Sequence, residues 1–166
     1  PVVLLTSTIN SPTTRQVITD FLAKTPGSRH VQYDALSRSG MLLANEACYG
    51  RRVIPSYHFD NAKVIVGLDC DFLGTWLNPV EFARQYSVGR KVADPANAQM
   101  SKHIQFEGML SMTGANADDR FIHRPSESGA IALNLLSRLG GSVSAPAVAD
   151  ARLKKGLDMA AGMLKQ

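Results

Sequence analysis

The sequence predicts an α/β fold with a mostly parallel sheet, and three observations carry that prediction. Continuous apolar, β-branched runs occur at 2–9 and 62–69, a pattern typical of strands that are buried on both faces of a sheet. Segments with apolar residues at helical spacing, such as 13–25, separate these runs. The alternation predicts βαβ units. With right-handed crossovers it predicts a doubly wound, Rossmann-like three-layer sandwich.

The elements follow one another along the whole chain. Strands are predicted at 2–9, 30–35, 62–69 and 103–108, and helices at 13–25, 37–50, 78–91, 125–140 and 148–165. Asn10-Ser11-Pro12 and Asn78-Pro79 each place a capping residue before a proline at the first helical position. Pro26-Gly27 and Gly50 are predicted to end the first two helices.

Length and composition indicate one folded domain. The chain has 166 residues, of which 45% are hydrophobic and 19% charged, so a buried core is expected. We expect a Rossmann-like domain at 1–141, and a linker and C-terminal helix at 142–166. The chain opens at Pro1 directly on a strand pattern, so we expect a fragment of a larger protein. The longest apolar runs are too short to cross a bilayer, which predicts no direct membrane span.

Charge and metal-ligand residues exclude two classes of function. The net charge of +4 is diffuse, whereas a nucleic-acid interface needs a concentrated basic patch. The two cysteines are 22 positions apart and the four histidines are scattered, so neither spacing matches a known ligand set. The sequence therefore predicts no nucleic-acid partner and no metal site.

Polar residues at two strand ends are candidate ligands. Thr8, Asn10 and Ser11 precede a helix N-terminus, which favours an anion. They lack the GxGxxG of a pyrophosphate loop, so helix capping is the favoured interpretation. Asp69 and Asp71 follow the third strand and could hold a hard cation or a ribose. The alternative is a polar strand end that caps the next turn.

The stretch 106–125 carries a family resemblance. Glu107 ends a strand, Thr113 lies in the following loop, and Ala117-Asp118 come next. A short segment then ends at Arg124-Pro125 and leads into the helical run 130–133. In this order and spacing the chain resembles the molybdopterin oxidoreductases of the dimethyl-sulfoxide-reductase type, in which a short strand precedes the Arg-Pro turn.

The resemblance implies a cofactor loop, and the chain departs from it at the turn. In working members of that family the loop and an Arg-Pro-Gly-Thr-Asp turn face the nucleotide part of the pterin cofactor. Here Ser126-Glu127-Ser128 follows Arg124-Pro125. The glycine that lets a backbone approach a phosphate is absent. Glu127 adds negative charge where the pyrophosphate would lie. Asp118, Asp119 and Arg120 are then expected to pair locally or at an interface.

Segments 71–90 and 107–125 together are similar to one branch, the large iron–sulfur subunit of alternative complex III. That subunit has a molybdopterin-oxidoreductase-like part without molybdenum cofactor, followed by a part that holds iron–sulfur clusters. The resemblance implies a non-catalytic structural or assembly domain, with clusters elsewhere in the parent protein. Its partners would be other subunits or domains of a membrane-bound respiratory quinol:electron-acceptor oxidoreductase. Its location would be the periplasmic face of the bacterial inner membrane.

Two alternatives stay open at this stage. One is a pterin- or nucleotide-binding domain of an active molybdopterin oxidoreductase, with molybdopterin guanine dinucleotide as cofactor. The other is a nucleotide binder of the general Rossmann type. On either account, no catalytic residue and no metal ligand is predicted. Nine residues are candidates for cofactor binding, either functional or vestigial: Thr8, Asn10, Ser11, Asp69, Asp71, Glu107, Thr113, Asp118 and Arg124.

Overall fold

A computed structural model describes residues 1–9, 11–92 and 94–166. The chain divides into two compact units, residues 1–56 and 57–166. Parallel strands and helices build both units, so the prediction of an α/β fold is confirmed. The strands form two separate parallel sheets, one of two strands and one of three.

The first unit is a short strand–helix–strand–helix segment. Strand β1 (Val3–Thr6) pairs in parallel with β2 (Arg29–Gln32), with Val3 opposite Arg29. Helix α1 (Pro12–Ala23) connects them, and its first turn is capped by the Ser11 side chain, which accepts from the Thr14 backbone N–H. Helix α2 (Ser39–Tyr49) ends at Gly50, which has a positive φ of 68°. The capping predicted at Ser11 and the stop predicted at Gly50 are confirmed.

The second unit contains the larger sheet, in which β3 (Val64–Leu68), β4 (Lys102–Glu107) and β5 (Asp119–Ile122) run parallel in that order. Val66 lies opposite Ile104, and Phe106 lies opposite Phe121. The helices of this unit are α3 (Pro79–Arg90), α4 (Met112–Ala115), α5 (Ser128–Arg138) and α6 (Ala151–Leu164).

Apolar side chains pack on both faces of the three-stranded sheet. On one face Ile104 and Phe106 pack against a group contributed by α5 and α6, which includes Ile131 and Leu157. On the other face Ile65 packs with Phe72, Phe82 and Tyr86, the last two from α3. Successive residues of a strand point to opposite faces, so β4 contributes Ile104 and Phe106 to the first core and turns the buried polar residues His103, Gln105 and Glu107 to the other face. Helix α6 therefore packs on the sheet of the second unit, a placement that its sequence left open.

Two short elements were not predicted from the hydrophobic pattern. Helix α4 has only four residues, too few to show a helical period. Strand β5 is the short strand that the family resemblance implies before Arg124-Pro125. Residues 51–58 form neither helix nor strand, and a 3-10 turn follows at Phe59–Asn61. The domain boundary expected at residue 141 stays a prediction.

Candidate functional site

Four of the predicted ligand residues belong to one polar group at the carboxyl ends of β3 and β4. We call Asp69, Asp71, Glu107 and Thr113 the strand-end cluster. Asp69 directly follows β3, and Glu107 is the last residue of β4. Thr113 lies in α4, which Ser111 caps by accepting from the Gly114 backbone N–H. In parallel sheets this edge is where ligands commonly bind, so the partners of each side chain decide what the cluster can do.

Asp71 is bonded to Thr113. Its Oδ1 accepts from the Thr113 backbone N–H at 3.1 Å and from the Thr113 hydroxyl at 2.8 Å. The same hydroxyl oxygen accepts from the Leu73 backbone N–H at 2.9 Å. The Asp71 carbonyl oxygen accepts from the backbone N–H groups of the next turn. The pair thus ties the turn after β3 to α4, which satisfies otherwise unpaired backbone donors.

Glu107 is buried and engaged on both carboxylate oxygens. Its Oε1 accepts from the Ser111 backbone N–H and from Nε of Arg120, and its Oε2 accepts from the Ser111 hydroxyl. Only 4% of the side chain is exposed. Burial opposes ionisation, but the hydrogen bonds from Ser111 and Arg120 outweigh it, so the pKa of Glu107 lies below its ordinary value. The carboxylate is therefore ionised and paired at neutral pH.

Asp69 is the third carboxylate of the strand-end cluster. Its backbone has a positive φ of 50°, which turns the chain sharply at the strand end. Oδ1 accepts from the Gly108 backbone N–H at 3.3 Å and lies 3.3 Å from Nε2 of His123. Oδ2 accepts from the Ser128 hydroxyl. Asp69 thereby joins the end of β3 to the segments after β4 and β5.

A row of polar side chains continues from Glu107 along one face of β4. The Nε2 atom of Gln105 lies 3.5 Å from Oε2 of Glu107, and its Oε1 lies 3.3 Å from Nε2 of His103. His103 Nδ1 lies 3.0 Å from the hydroxyl of Tyr86. Burial lowers the pKa of His103 and raises that of Tyr86. Both groups are therefore neutral at neutral pH, as suits a buried row that packs beneath α3.

Asp118 lies at the opposite end of the sheet. It directly precedes β5, and its carboxylate accepts from the His103 backbone N–H near the start of β4. Both carboxylate oxygens also accept from the Arg90 guanidinium at 2.7 Å. These hydrogen bonds from Arg90 lower the pKa of Asp118 to about 2. The structure thus separates Asp118 from the strand-end cluster along the length of β4.

The residues at the start of β5 and in the turn after it pair with their neighbours. The expected local pairing of this segment is confirmed, because Asp118 binds Arg90, Asp119 lies 2.7 Å from Nζ of Lys102, and Arg120 binds Glu107. The turn itself is closed by Glu127, whose Oε2 accepts from the Arg124 backbone N–H at 2.8 Å. The Arg124 residue is exposed.

The predicted ligands of the first unit also bond within their unit. The Thr8 backbone N–H donates to Oδ1 of Asp34 at 2.9 Å, and its hydroxyl donates to Oδ2. These bonds lower the pKa of Asp34. Ser11 caps α1. Asn10 lies outside the described residues. Thr8 and Ser11 belong to a different compact unit from the strand-end cluster.

The donor set does not fit a pyrophosphate-bearing pterin. The three carboxylates of the strand-end cluster would repel its charge, and Arg120, which contacts the cluster, is already paired with Glu107. Within the described residues, no group of three or more His, Cys, Asp or Glu side chains could hold a metal ion. Cys70 lies between two of the carboxylates, and burial raises the pKa of its thiol. A raised pKa disfavours the nucleophilic thiolate.

Sequence reasoning missed several members of this network. Ser111, His123 and Ser128 contribute hydrogen bonds or close contacts to the cluster. Arg120 was expected to pair locally, but its partner Glu107 was not predicted. One signal was available: Ser111 precedes the Gly114 N–H by the three positions typical of an N-cap. The others come together only through the pairing of β4 with β5, which the hydrophobic pattern does not reveal.

Comparisons with known proteins do not extend this description. A scan against protein-family models finds no match for the chain, and a search of curated proteins finds none either. In the described part of the chain, no helix combines the length and the apolar character needed to cross a membrane.

Proposed function

We propose that the chain is a non-catalytic structural and assembly domain of a molybdopterin-oxidoreductase-like iron–sulfur subunit. The parent protein would belong to a respiratory quinol:electron-acceptor oxidoreductase complex at the periplasmic face of the bacterial inner membrane. Electron transfer would take place at iron–sulfur clusters elsewhere in that protein. The Rossmann-like, doubly wound three-layer sandwich predicted from the sequence is part of this proposal.

The observation that carries the proposal is that the residues which replace the family's Gly-Thr-Asp form hydrogen bonds within the chain. Where the similar family has Gly-Thr-Asp, this chain has Ser126-Glu127-Ser128. Glu127 accepts from the Arg124 backbone N–H, and Ser128 donates to the Asp69 carboxylate. The two departures thus supply internal hydrogen bonds at the place where the family binds its cofactor. Groups that bond one another in this way support a structural role, because a ligand would have to displace them.

The neighbouring carboxylates support the same conclusion. Asp71 is bonded to Thr113, and Glu107 to Ser111 and Arg120. A cofactor site keeps polar groups available to its ligand, whereas here the donors and acceptors meet each other. The hydrogen bonds and the ion pair of the strand-end cluster therefore connect the ends of β3 and β4 to α4 and to the start of β5.

Elemental analysis of the complex purified from native membranes tests the proposal. The expected result is iron in stoichiometric amount, with neither molybdenum, tungsten nor extractable pterin bound to the subunit. Stoichiometric molybdenum and pterin would contradict the proposal and would favour an active molybdopterin oxidoreductase. A thermal-shift titration of the chain with nucleotides adds a second control, and a saturable rise of the melting temperature would favour the nucleotide binder.

A further inference from the structure

A groove runs along the outer edge of β5, and we call it the β5 groove. Its volume is about 610 Å³. One wall is strand β5, and the other is formed by residues of α6 from its N-cap, Asp150, to Met159. The residues that line it are Asp119, Arg120, Phe121, Ile122, Asp150, Arg152, Leu153, Lys155 and Met159.

The backbone of β5 is free on the groove side. β5 stands last in the order β3–β4–β5, and within the described residues its only strand partner is β4. Alternate N–H and C=O groups of an edge strand point away from its neighbour and are available to a further strand. The groove therefore offers the outward-facing N–H and C=O groups of alternate residues of this four-residue strand.

Three cations and two carboxylates line the groove, and two of the cations have no ion-pair partner among the described residues. Asp119 is paired with Lys102, and the Asp150 carboxylate accepts from the first backbone N–H groups of α6. In contrast, the side chains of Arg152 and Lys155 form no hydrogen bond or ion pair with any other described residue, and both residues are exposed. A segment lying in the groove would meet two cations without partners.

Apolar side chains line the groove between these charges. Phe121 stacks on the buried Phe106 with ring centroids 5.2 Å apart, and Leu153 is almost completely buried. Ile122 is 62% exposed at the end of the strand. An added strand would place alternate side chains against this apolar surface and the remaining ones toward solvent and the cations.

We propose that the β5 groove binds an extended, acidic segment of a partner protein, which adds to β5 as a further strand. Backbone hydrogen bonds along β5 hold the segment, and its carboxylates meet Arg152 and Lys155. The inference rests on the proposed assembly function and names the kind of partner surface that this function requires. The charge of the groove decides the occupant, because the strand edge alone accepts any extended chain.

A peptide titration tests the inference. The probe is a fluorescein-labelled, acetylated peptide, Thr-Glu-Val-Asp-Thr-Glu-Val-Asp, titrated with the full chain and followed by fluorescence anisotropy. The expected result is saturable one-to-one binding that weakens as sodium chloride is raised from low to high concentration. Amide resonances of β5 shift in parallel in the NMR spectrum. A peptide with lysine in place of every acidic residue should bind at least about tenfold more weakly.

Matched variants locate the site. The double variant Arg152→Glu, Lys155→Glu should weaken binding about tenfold or more, because two attractions become repulsions. Lys154→Glu is the control, since Lys154 is exposed on the same helix but does not line the groove. Equal losses in the double variant and in the control would overturn the inference, because they would reflect the overall charge of α6.

Backbone methylation separates strand addition from charge attraction. Two further peptides carry N-methyl groups on alternate residues. In one peptide the odd-numbered residues are methylated, and in the other the even-numbered residues are. One should lose binding and the other should keep it, because only one set of N–H groups faces β5. Equal binding of both peptides, no binding of the acidic peptide to folded chain, or a dimer of the chain formed through β5 would each overturn the proposed occupant. These readouts do not depend on molybdenum or pterin, so a failure here is distinguishable from a failure of the proposed function.

Discussion

The two units of the chain share a strand–helix alternation but differ in what they bury. Among the described residues of the first unit, 1–56, none is buried, and the apolar residues of β1 stay open, with Leu5 66% exposed. In the second unit, 57–166, Ile104 and Phe106 of β4 are completely buried against side chains of α5 and α6, and α3 packs on the opposite face of the sheet. The comparison teaches that the same local pattern yields a core only where helices cover both faces of a sheet.

The polar residues of the two units also differ in burial. Thr8 and Asp34 of the first unit form an exposed pair. Glu107 and Arg120 of the second unit form a pair in which the carboxylate is buried. A buried carboxylate without its partners would cost far more than an exposed one. The network of the second unit therefore contributes to a defined structure, whereas the Thr8 bonds act locally.

The largest expected effect comes from a charge placed in the core. Ile104→Asp buries an unpaired carboxylate at a cost of more than about 4 kcal/mol, so the second unit should fail to fold cooperatively. Leu5→Asp is the matched change on β1, where the side chain reaches water, and it should leave circular dichroism and urea unfolding of the chain nearly unchanged. A folded Ile104→Asp variant would refute the placement of Ile104 in the core between β4 and helices α5 and α6.

Removing the buried carboxylate is the next largest change. Glu107→Ala leaves the Arg120 guanidinium and the Ser111 donors without their acceptor, so the free energy of unfolding should fall by about 3 kcal/mol. Asp34→Asn in the first unit should lower it much less. Urea denaturation followed by far-ultraviolet circular dichroism measures both, since each unit contains helices. Equal losses of unfolding free energy in the two variants would contradict the claim that the polar network of the second unit contributes more to stability than that of the first.

The pH dependence of stability tests the Arg90–Asp118 pair. The folded pKa of Asp118, about 2, lies below the ordinary value of 3.8, so this carboxylate stabilises the folded state above pH 4. That contribution, about 2 kcal/mol, is lost as the pH falls from 4 to 2. Asp118→Asn should reduce the loss of stability over this range, whereas Asp158→Asn, at an exposed pair, should retain it. Identical pH profiles for the two variants would contradict the pairing.

A smaller effect is expected where α6 approaches the sheet. A Cβ at Gly156 would lie 2.7 Å from the Phe121 ring, so Gly156→Ala should destabilise the chain by about 1 to 2 kcal/mol. Gly40 in α2 of the first unit has no atom within 4 Å of such a Cβ, so Gly40→Ala should be neutral or stabilising by about 0.5 kcal/mol. The melting temperature of Gly156→Ala should therefore fall, and that of Gly40→Ala should stay the same or rise.

The sequence predicted the strands and helices better than their arrangement. Strand β3 and helix α1 follow from a β-branched run and from the Ser11-Pro12 start, which are local signals. The partners of Glu107 do not follow from local signals, because Arg120 reaches it only through the register of β4 and β5. Asp118 is instructive. A residue that begins a parallel strand must lie at the amino end of the sheet, so it cannot join Glu107 at the other end.

The central claim is that the strand-end cluster is structural, and Asp71→Ala tests it most directly. Residues kept for a ligand often cost stability, so replacing them leaves an unliganded protein unchanged or stabilised. Asp71 instead accepts from the backbone N–H and the hydroxyl of buried Thr113. We predict that urea denaturation will show a loss of at least about 1 kcal/mol for Asp71→Ala. Unchanged or increased stability would contradict the account and would mark Asp71 as a residue held for a ligand.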